Sequence, residues 1–344
     1  MDYNLQGLIE IEHKELAMIL AGDIGGTKTN IGLYTWKEHA LELHRKEQFS
    51  SRDYNSLEEI LTAFNQKVTL SHIDAACFGI AGPVIEESCT TTNLPWRVST
   101  LDLQAYLGLQ NVRLLNDLEA TAYGMLYLHD NAFIHLNPTA KKTKGNHAVI
   151  AAGTGLGEAM LYFNGHTYQP IGTEGGHSDF APLSPQQDAL LQWLRHRYPE
   201  HVSYERVLSG SGIYTIYQFL AQSGYAPEPA SMLHITDDKD PNAMVSECAL
   251  KEQDPLCIET LRLFCQIYGA EAGNLALKTM SLGGVYIGGG IAPKILSVLA
   301  DGHFMKGFLS KGRFNKMLSQ MEVKLSLNPE TALLGAANYA RDKF

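Results

Sequence analysis

Apolar residues in this chain come in short runs that end at glycines. Ala17–Gly22 (AMILAG) is closed by Asp23 and a Gly-Gly pair. Thr29–Tyr34 (TNIGLY) then resumes as a strand, which puts Asp23–Lys28 in a hairpin turn. His39–Phe49, with polar alternation, predicts a third strand. In Ser56–Val68 a serine is followed by Glu59 and then by apolar positions at helical spacing, the pattern of a capping box opening an amphipathic helix. Ile73–Ile80 is an apolar strand that stops at Gly82-Pro83. The first third therefore reads β-β-β-α-β. A Cys/Thr/Asn/Pro loop, a helix near Leu101–Leu107, a strand at Val112–Leu115 and a helix at Leu118–Leu128 follow.

The same theme of apolar strand, Gly-rich turn and renewed element recurs weakly at residues 153–157 and 288–290. His147–Ala152 and Leu156–Phe163 are strands around the first of these turns, and Gly283–Ile287 is a buried strand running into the second. Helices are predicted at Pro185–Tyr198, Gly212–Gln222, Asp254–Met280, from about Ala292, and at Thr331–Arg341, with a last strand at Val323–Leu327. Asp254-Pro255 fits an N-cap followed by proline at the first helical position. No period of 20–50 residues is visible, which excludes solenoids and propellers.

Length and charge narrow the class. At 344 residues the chain has room for two domains, or one with large insertions. Lys plus Arg total 27 against 37 Asp plus Glu, a net charge of −10. That balance lacks the basic field of a nucleic-acid binder and the polybasic clusters that hold a protein to anionic lipid. No stretch approaches the ~18 unbroken apolar residues of a membrane span. The N-terminus is acidic without an apolar core, so no secretory signal is expected. Cys77, Cys89, Cys248, Cys257 and Cys265 are odd in number and lack CxxC spacing, so they read as reduced thiols of a cytoplasmic protein, not a zinc site.

Six strings could carry chemistry. In Gly22-Asp23-Ile24-Gly25-Gly26-Thr27-Lys28-Thr29, glycines let backbone N–H groups approach a phosphate, Thr27 adds a hydroxyl, and Asp23 can reach a Mg²⁺-bound water. The string is neither GxGxxG nor GxxxxGK[ST], so neither a dinucleotide fold nor a P-loop is indicated. Gly153-Thr154-Gly155-Leu156-Gly157 is a second candidate phosphate turn, and Gly288-Gly289-Gly290 lets a flat base or ribose lie against backbone. Asn116-Asp117 ends an apolar strand, and a carboxylate at the following helix N-terminus suits a general base, though a plain N-cap explains the string equally well. Glu174 and His177 flank Gly175-Gly176 and can grip sugar hydroxyls, with a solvated surface turn as the alternative. Glu205, in Tyr204–Gly210, is a further hydroxyl acceptor or an ordinary first-turn carboxylate.

Together these strings resemble the bacterial ATP-dependent glucokinase family of the hexokinase–actin–Hsp70 ATPase superfamily. Its members read GDxGGT, TNxxW, xNDxxA, GTGLG, EGGHxDFAP, ERVLSG and GGxxIxGGI. Here those are Gly22–Thr27, Thr92–Trp96, Leu115–Ala120, Gly153–Gly157, Glu174–Pro182, Glu205–Gly210 and Gly283–Ile291, in order, with a similar Leu334-Gly335-Ala336-Ala337 ending. Ala81-Gly82-Pro83 stands where some members have Cys-Pro, and Lys28 where some have Asn. The related repressor–kinase family usually carries a Cys-rich zinc run that is absent here.

The resemblance implies a two-lobed, ribonuclease H-like α/β fold. Its small α/β lobe would hold residues 1–127 and 326–344, and its larger α+β lobe residues 128–325. It implies transfer of the γ-phosphoryl of ATP, with Mg²⁺, to the 6-hydroxyl of D-glucose in the cytoplasm, by a homodimer without nucleic-acid or membrane partners. Asn93, Asn116, Asp117, Glu174, His177 and Glu205 would hold the sugar, with Asp117 as base. Gly22, Asp23, Ile24, Gly25, Gly26 and Thr27 would bracket the phosphates with Thr154 and Gly155, and Gly288-Gly289 would take the adenosine. Asp117 would then come from the small lobe and Glu174, His177 and Glu205 from the large one, so glucose would draw the lobes closed. Rivals are another hexose kinase, a sugar-sensing regulator and an actin-like ATPase. Residues 1–16 are too short and acidic for a helix-turn-helix, and the last rival has no use for Glu174, His177 and Glu205 as a group.

Overall fold

The computed structural model describes residues 17–37, 40–68, 72–91, 94–233, 235–236 and 239–344. The expected N-terminal extension, His39 and the sugar candidate Asn93 lie outside the described residues. By packing, the described chain divides into one unit running to Leu114 together with Ala336–Phe344, and a second unit, Leu115–Gly335. The division falls after Leu114, not after residue 127, because the Asp117–Met125 helix lies against strands of the second unit. Asn116 and Asp117 therefore belong by packing with Glu174, His177 and Glu205.

The first unit is built on a five-stranded sheet ordered β3-β2-β1-β4-β7, from β1 (Ala17–Ile24), β2 (Lys28–Lys37), β3 (Ala40–Ser50), β4 (Ala75–Ile80) and β7 (Val112–Asn116). The short β5 (Ser88–Thr90) and β6 (Arg97–Ser99) pair separately. β1 runs antiparallel to β2 and parallel to β4. β4 is buried along its whole length, which is why it reads as an unbroken apolar run. Its core gathers Leu20, Ile31, Phe64, Phe78 and Trp96, the indole N–H of Trp96 donating to the Tyr54 carbonyl at 3.2 Å. The Leu57–Lys67 helix starts as expected, with Ser56 Oγ accepting from Glu59 N–H. The reciprocal arm of the box differs: the Glu59 carboxylate accepts from Asn55 N–H at 2.8 Å and from its side-chain amide, because Asn55 offers two donors in place of one.

The second unit carries a six-stranded sheet ordered β11-β10-β9-β12-β13-β8: β8 (Phe133–His135), β9 (His147–Ala152), β10 (Leu156–Phe163), β11 (Tyr168–Thr173), β12 (Gly284–Gly288) and β13 (Val323–Ser326). β9, β10 and β11 are antiparallel neighbours, and β9 is parallel to β12. Taken as β9, β10, β11, β12 and β13, its first five strands repeat the order of the first sheet. Over these strands pack the Pro185–Arg197 and Gly210–Gln222 helices and the 24-residue Pro255–Lys278 helix. Asp254 caps the last, its Oδ1 accepting from Leu256 and Cys257 N–H at 2.9 and 3.0 Å. The helix expected from Ala292 is a chain of short turns to Leu309, broken at Gly302, whose φ is 103°. β8 and β11, absent from the sequence reading, complete the sheet. Gly335 lets the closing Thr331–Lys343 helix meet the Asp117–Met125 helix, since a Cβ there would lie 1.8 Å from the Ala120 carbonyl oxygen.

Candidate active site

In the first unit the phosphate-turn candidate is the β1–β2 hairpin. Gly25 N–H donates to the Lys28 carbonyl at 3.0 Å. Ser51, unremarked in the sequence, braces the turn from outside: its N–H donates to the Thr27 carbonyl at 3.0 Å and its hydroxyl to the Gly25 carbonyl at 2.7 Å. Gly22 is buried beside Phe78, and Ile24 lies in the core, so both can offer a ligand only backbone. Gly26 is partly exposed and Thr27 exposed at the tip. Asp23 accepts from the Asn30 amide at 3.3 Å, and Asn30 in turn from Gln48. Burial raises the Asp23 carboxyl above the usual range, and the Asn30 bond only partly opposes this. The Asp23 side chain is partly exposed beside the glycine turn and offers the oxygen donor that a hard, hydrated cation takes, so Asp23 fits Mg²⁺ held through water.

In the second unit the end of β7 and the helix after it form a tight construction. Asn116, not Asp117, is the N-cap: its side chain accepts from Leu118 N–H at 2.9 Å, while Glu119 reaches back to Asn116 N–H at 2.9 Å. Asp117 is thus the first helical residue, with Oδ1 accepting from Leu118 N–H at 2.9 Å. Glu119 has a second task, accepting from Gly172 N–H of β11 at 3.0 Å. One carboxylate so ties the start of the Asp117 helix to the strand that leads into Glu174.

The β9–β10 turn is the meeting point of three of the strings. Gly153 N–H donates to the Gly155 carbonyl at 2.8 Å, and Gly210 N–H donates to the Gly153 carbonyl at 2.8 Å. Leu156 N–H donates to Glu205 Oε2 at 2.9 Å, and a Cβ on Gly155 would stand 2.4 Å from that oxygen. Glu205 Oε1 has no hydrogen-bond partner among the described residues. The carbonyl of Leu156 faces Gly176, where a Cβ would lie only 2.0 Å away, and a Cβ on Gly175 would lie 2.1 Å from Glu158 Oε2. The glycines of the Glu174–His177 turn are therefore needed for close seating on β10. Glu174 and His177 stand exposed at its two ends, and Thr154 is exposed at the tip of the β9–β10 turn. Gly289, with φ 83°, has no room for a Cβ beside the Ala152 carbonyl (2.2 Å), which brings Gly288-Gly289 alongside the start of the same turn.

Thus Asn116, Asp117, Gly153–Gly157, Glu174, His177, Glu205 and Gly288-Gly289 gather at the end of one sheet in one unit. Gly22–Thr27 belongs to the other. Sequence reasoning missed Ser51, Glu119 and Glu158. Only Glu119 had a signal, standing three residues after an N-cap candidate.

Among the described residues no disulfide joins the five cysteines, and all are buried. The Sγ atoms of Cys248 and Cys257 and a carboxylate oxygen of Asp254 lie within 4.8 Å of one another. Asp254 is occupied in capping, however, the Cys248 thiol donates to Glu252 at 3.3 Å, and burial pushes both thiols up, so they stand protonated. No helix among the described residues is long and apolar enough to cross a membrane.

A family model described as Glucokinase matches residues 20–343. A glucokinase of Nostoc punctiforme is 39% identical over 335 residues, spanning 94% of this chain and 98% of its own length. Among solved structures, a glucokinase from an Antarctic psychrotroph superposes with a TM-score of 0.84 at 30% identity, covering 95% of this chain and all of its own. The glucokinase of Balamuthia mandrillaris, solved in complex with glucose, shares the fold at 21% identity with a TM-score of 0.75, covering 96% and 95% of the two chains.

Proposed function

The chain belongs to the glucokinase family and is a sugar kinase, and we propose that it moves the γ-phosphoryl of ATP to the 6-hydroxyl of D-glucose with Asp117 as the general base. The single observation that carries this reading is the gathering of Asp117, Glu174, His177 and Glu205 around the glycine turns at one sheet end. The repeated strand order of the two sheets supports the ribonuclease H-like, two-lobed reading of the fold.

Phosphoryl transfer needs alignment and charge neutralisation more than covalent help from the protein. Asp117 sits in the first turn of a helix, where the N-terminal end of the helix dipole favours the ionised carboxylate. The sugar 6-hydroxyl would donate to it. As the new O–P bond forms and the bond to the leaving ADP breaks, the hydroxyl proton passes to the Asp117 carboxylate. Glu205 is pre-aligned, one oxygen pinned by Leu156 N–H and the other available to a sugar hydroxyl. Glu174 and His177 would take neighbouring hydroxyls. A wrong isomer would leave some of these groups unpaired, which discriminates strongly. The backbone N–H groups of the two glycine turns would cradle phosphate oxygens, and Asp23 would hold Mg²⁺ through water. The metal, when bound, supplies charge neutralisation for the polyphosphate.

The test is a coupled assay of ATP turnover with and without each hexose, run on the wild type and on Asp117→Asn. The asparagine keeps shape and removes the proton acceptor, so kcat for glucose should fall by ~10²–10⁴-fold while glucose still binds. A kcat near wild type would overturn the role of Asp117. Turnover that is unmoved by glucose would overturn the substrate.

A further inference from the structure

Behind the glycine turn that carries Glu174 and His177 lies a pair of acids that the proposed chemistry does not use. Glu158, on β10, is 1% exposed, and Glu271, in the middle of the Pro255–Lys278 helix, is 0% exposed. The two side chains are within hydrogen-bonding reach of each other. One oxygen of each, Oε1, is buried without a hydrogen-bond partner among the described residues, that of Glu271 being in ion-pair range of Lys278. Two carboxylates cannot both stay ionised at contact inside a protein, whereas a carboxyl and a carboxylate sharing one proton satisfy each other. The surroundings leave one negative charge to be balanced. Lys278 Nζ stands 3.7 Å from Glu271, and Asn274 donates to Glu271 Oε2 at 2.8 Å. Lys311 donates to Asn274 and adds positive field at Glu271. Tyr204 and Tyr268 are the remaining titratable groups facing the pair, and burial raises both beyond the neutral range.

The pair touches the turn directly. Glu158 Oε2 occupies the space next to Gly175 that a Cβ would need, 2.1 Å from that position, and the Glu158 carbonyl accepts from Thr173 Oγ1, which in turn accepts from Gly175 N–H. We propose that Glu158 and Glu271 share one proton, that this bond seats the Gly175-Gly176 turn, and that Glu158 is therefore a positioning residue for Glu174 and His177. The inference rests on the reading of that turn as the sugar site. When the shared proton leaves for solvent, two buried charges repel across a hydrogen-bond distance. The carboxylate of Glu158 then moves toward Gly175, and the turn shifts with it. Burial, with Glu271 adding to it, holds the Glu158 carboxyl far above the ordinary carboxylate range, so this release belongs to alkaline solution.

The experiment measures KM for glucose and for ATP across the range from about pH 6.5 to about pH 9.5 in the wild type, Glu158→Gln and Glu271→Gln, with Glu174→Ala as a marker of the sugar site. In the wild type KM for glucose should rise about fivefold or more over the alkaline half of that range, with KM for ATP within about twofold. Each glutamine can donate from its amide to the surviving carboxylate without titrating. KM for glucose in these variants should therefore stay near its neutral wild-type value and remain flat with pH. The infrared carbonyl band of a protonated carboxyl, present in the neutral wild type, should disappear over the same pH range and be absent from both glutamine variants. This band tests the shared proton even where a variant fails to fold. A flat wild-type profile, an alkaline rise retained by both glutamine variants, or no such band at neutral pH would each overturn the proposal. If KM for glucose in Glu174→Ala matches the wild type, the sugar-site reading has failed. If it is raised while the wild-type profile is flat, only the role of the acid pair has failed.

Discussion

At Gly155 and Gly289 the same substitution should have two different outcomes, because different atoms fill the space. A Cβ on Gly155 meets the far end of a side chain, Glu205 Oε2 at 2.4 Å, which can swing away. Gly155→Ala should therefore leave the fold largely intact but dislodge Glu205 from Leu156 N–H and raise KM for glucose about tenfold, the loss of one good hydrogen bond to a charged group. A Cβ on Gly289 meets the Ala152 carbonyl at 2.2 Å, and its φ of 83° is strained for any other residue. Gly289→Ala should cost on the order of 1–3 kcal/mol from the backbone alone. Thermal melts and glucose titrations run side by side on the two variants would show it: equal losses of melting temperature would contradict the distinction. The residue types at these positions were legible in the sequence, since glycine strings announce close approach. What each glycine approaches was not, because Glu205 and Ala152 come from distant parts of the chain. The Asn116-Asp117 pair was half legible for a related reason. Both residues are good caps, and the choice between them is made by Glu119 and by Gly172 on a strand fifty residues later.

Among elements, the buried β4 and the Asp254-capped helix could be read directly, because whole-length apolarity and Asp-Pro leave few alternatives. β11 could not. Pro170 and Gly172 argue against a strand, yet an edge position that pairs only with β10 tolerates both. The segment after Ala292 failed in the opposite direction, its helical spacing interrupted by Gly302 in a conformation no helix contains. Glu119 connects these two kinds of element, tying a helix start to an edge strand. Glu119→Ala should lower stability by about 0.5–2 kcal/mol, the usual cost of a lost cap. It should also reduce kcat, since Asp117 lies two residues away on the loosened turn. The two N–H groups use different oxygens of Glu119, and Glu119→Gln keeps only one acceptor and turns an NH2 toward the other N–H, so it should recover no more than part of each loss. Urea midpoints and kcat for the pair of variants test this, and a glutamine variant as stable and active as the wild type would show that the double acceptor is not what matters.

For the molecule as a whole, two buried groups tilt stability against pH in opposite directions. His147 is wedged between the rings of Tyr168 and Tyr286, with centroids 5.2 and 5.0 Å away, and burial together with the Lys324 charge pushes it down to about 4. The unfolded chain, with an ordinary histidine near ~6.5, binds the proton first as pH falls. Its contribution to stability is therefore present above that value and lost progressively toward about 4. Glu158 runs the other way. Its folded carboxyl is pushed up to about 8, so between the ordinary glutamate value and that point the native state holds a proton the unfolded state has released. Native stability consequently falls as pH rises through that window. Above about pH 6.5 the histidine loses its remaining proton in the unfolded state and Glu158 comes to dominate, with a limiting slope of about 1.4 kcal/mol per pH unit for a whole proton. The unfolding free energy should therefore decline from near pH 6.5 toward pH 8. Glu158→Gln should flatten much of that decline, and His147→Phe, which keeps the stacked ring, should flatten the loss on the acid side only. Urea unfolding at about pH 5, about pH 6.5 and about pH 8 for the three proteins separates the two contributions. An alkaline slope unchanged in Glu158→Gln would mean that the acid pair is already ionised in the folded state, with a charge from Lys278 or Lys311 moved in to meet it.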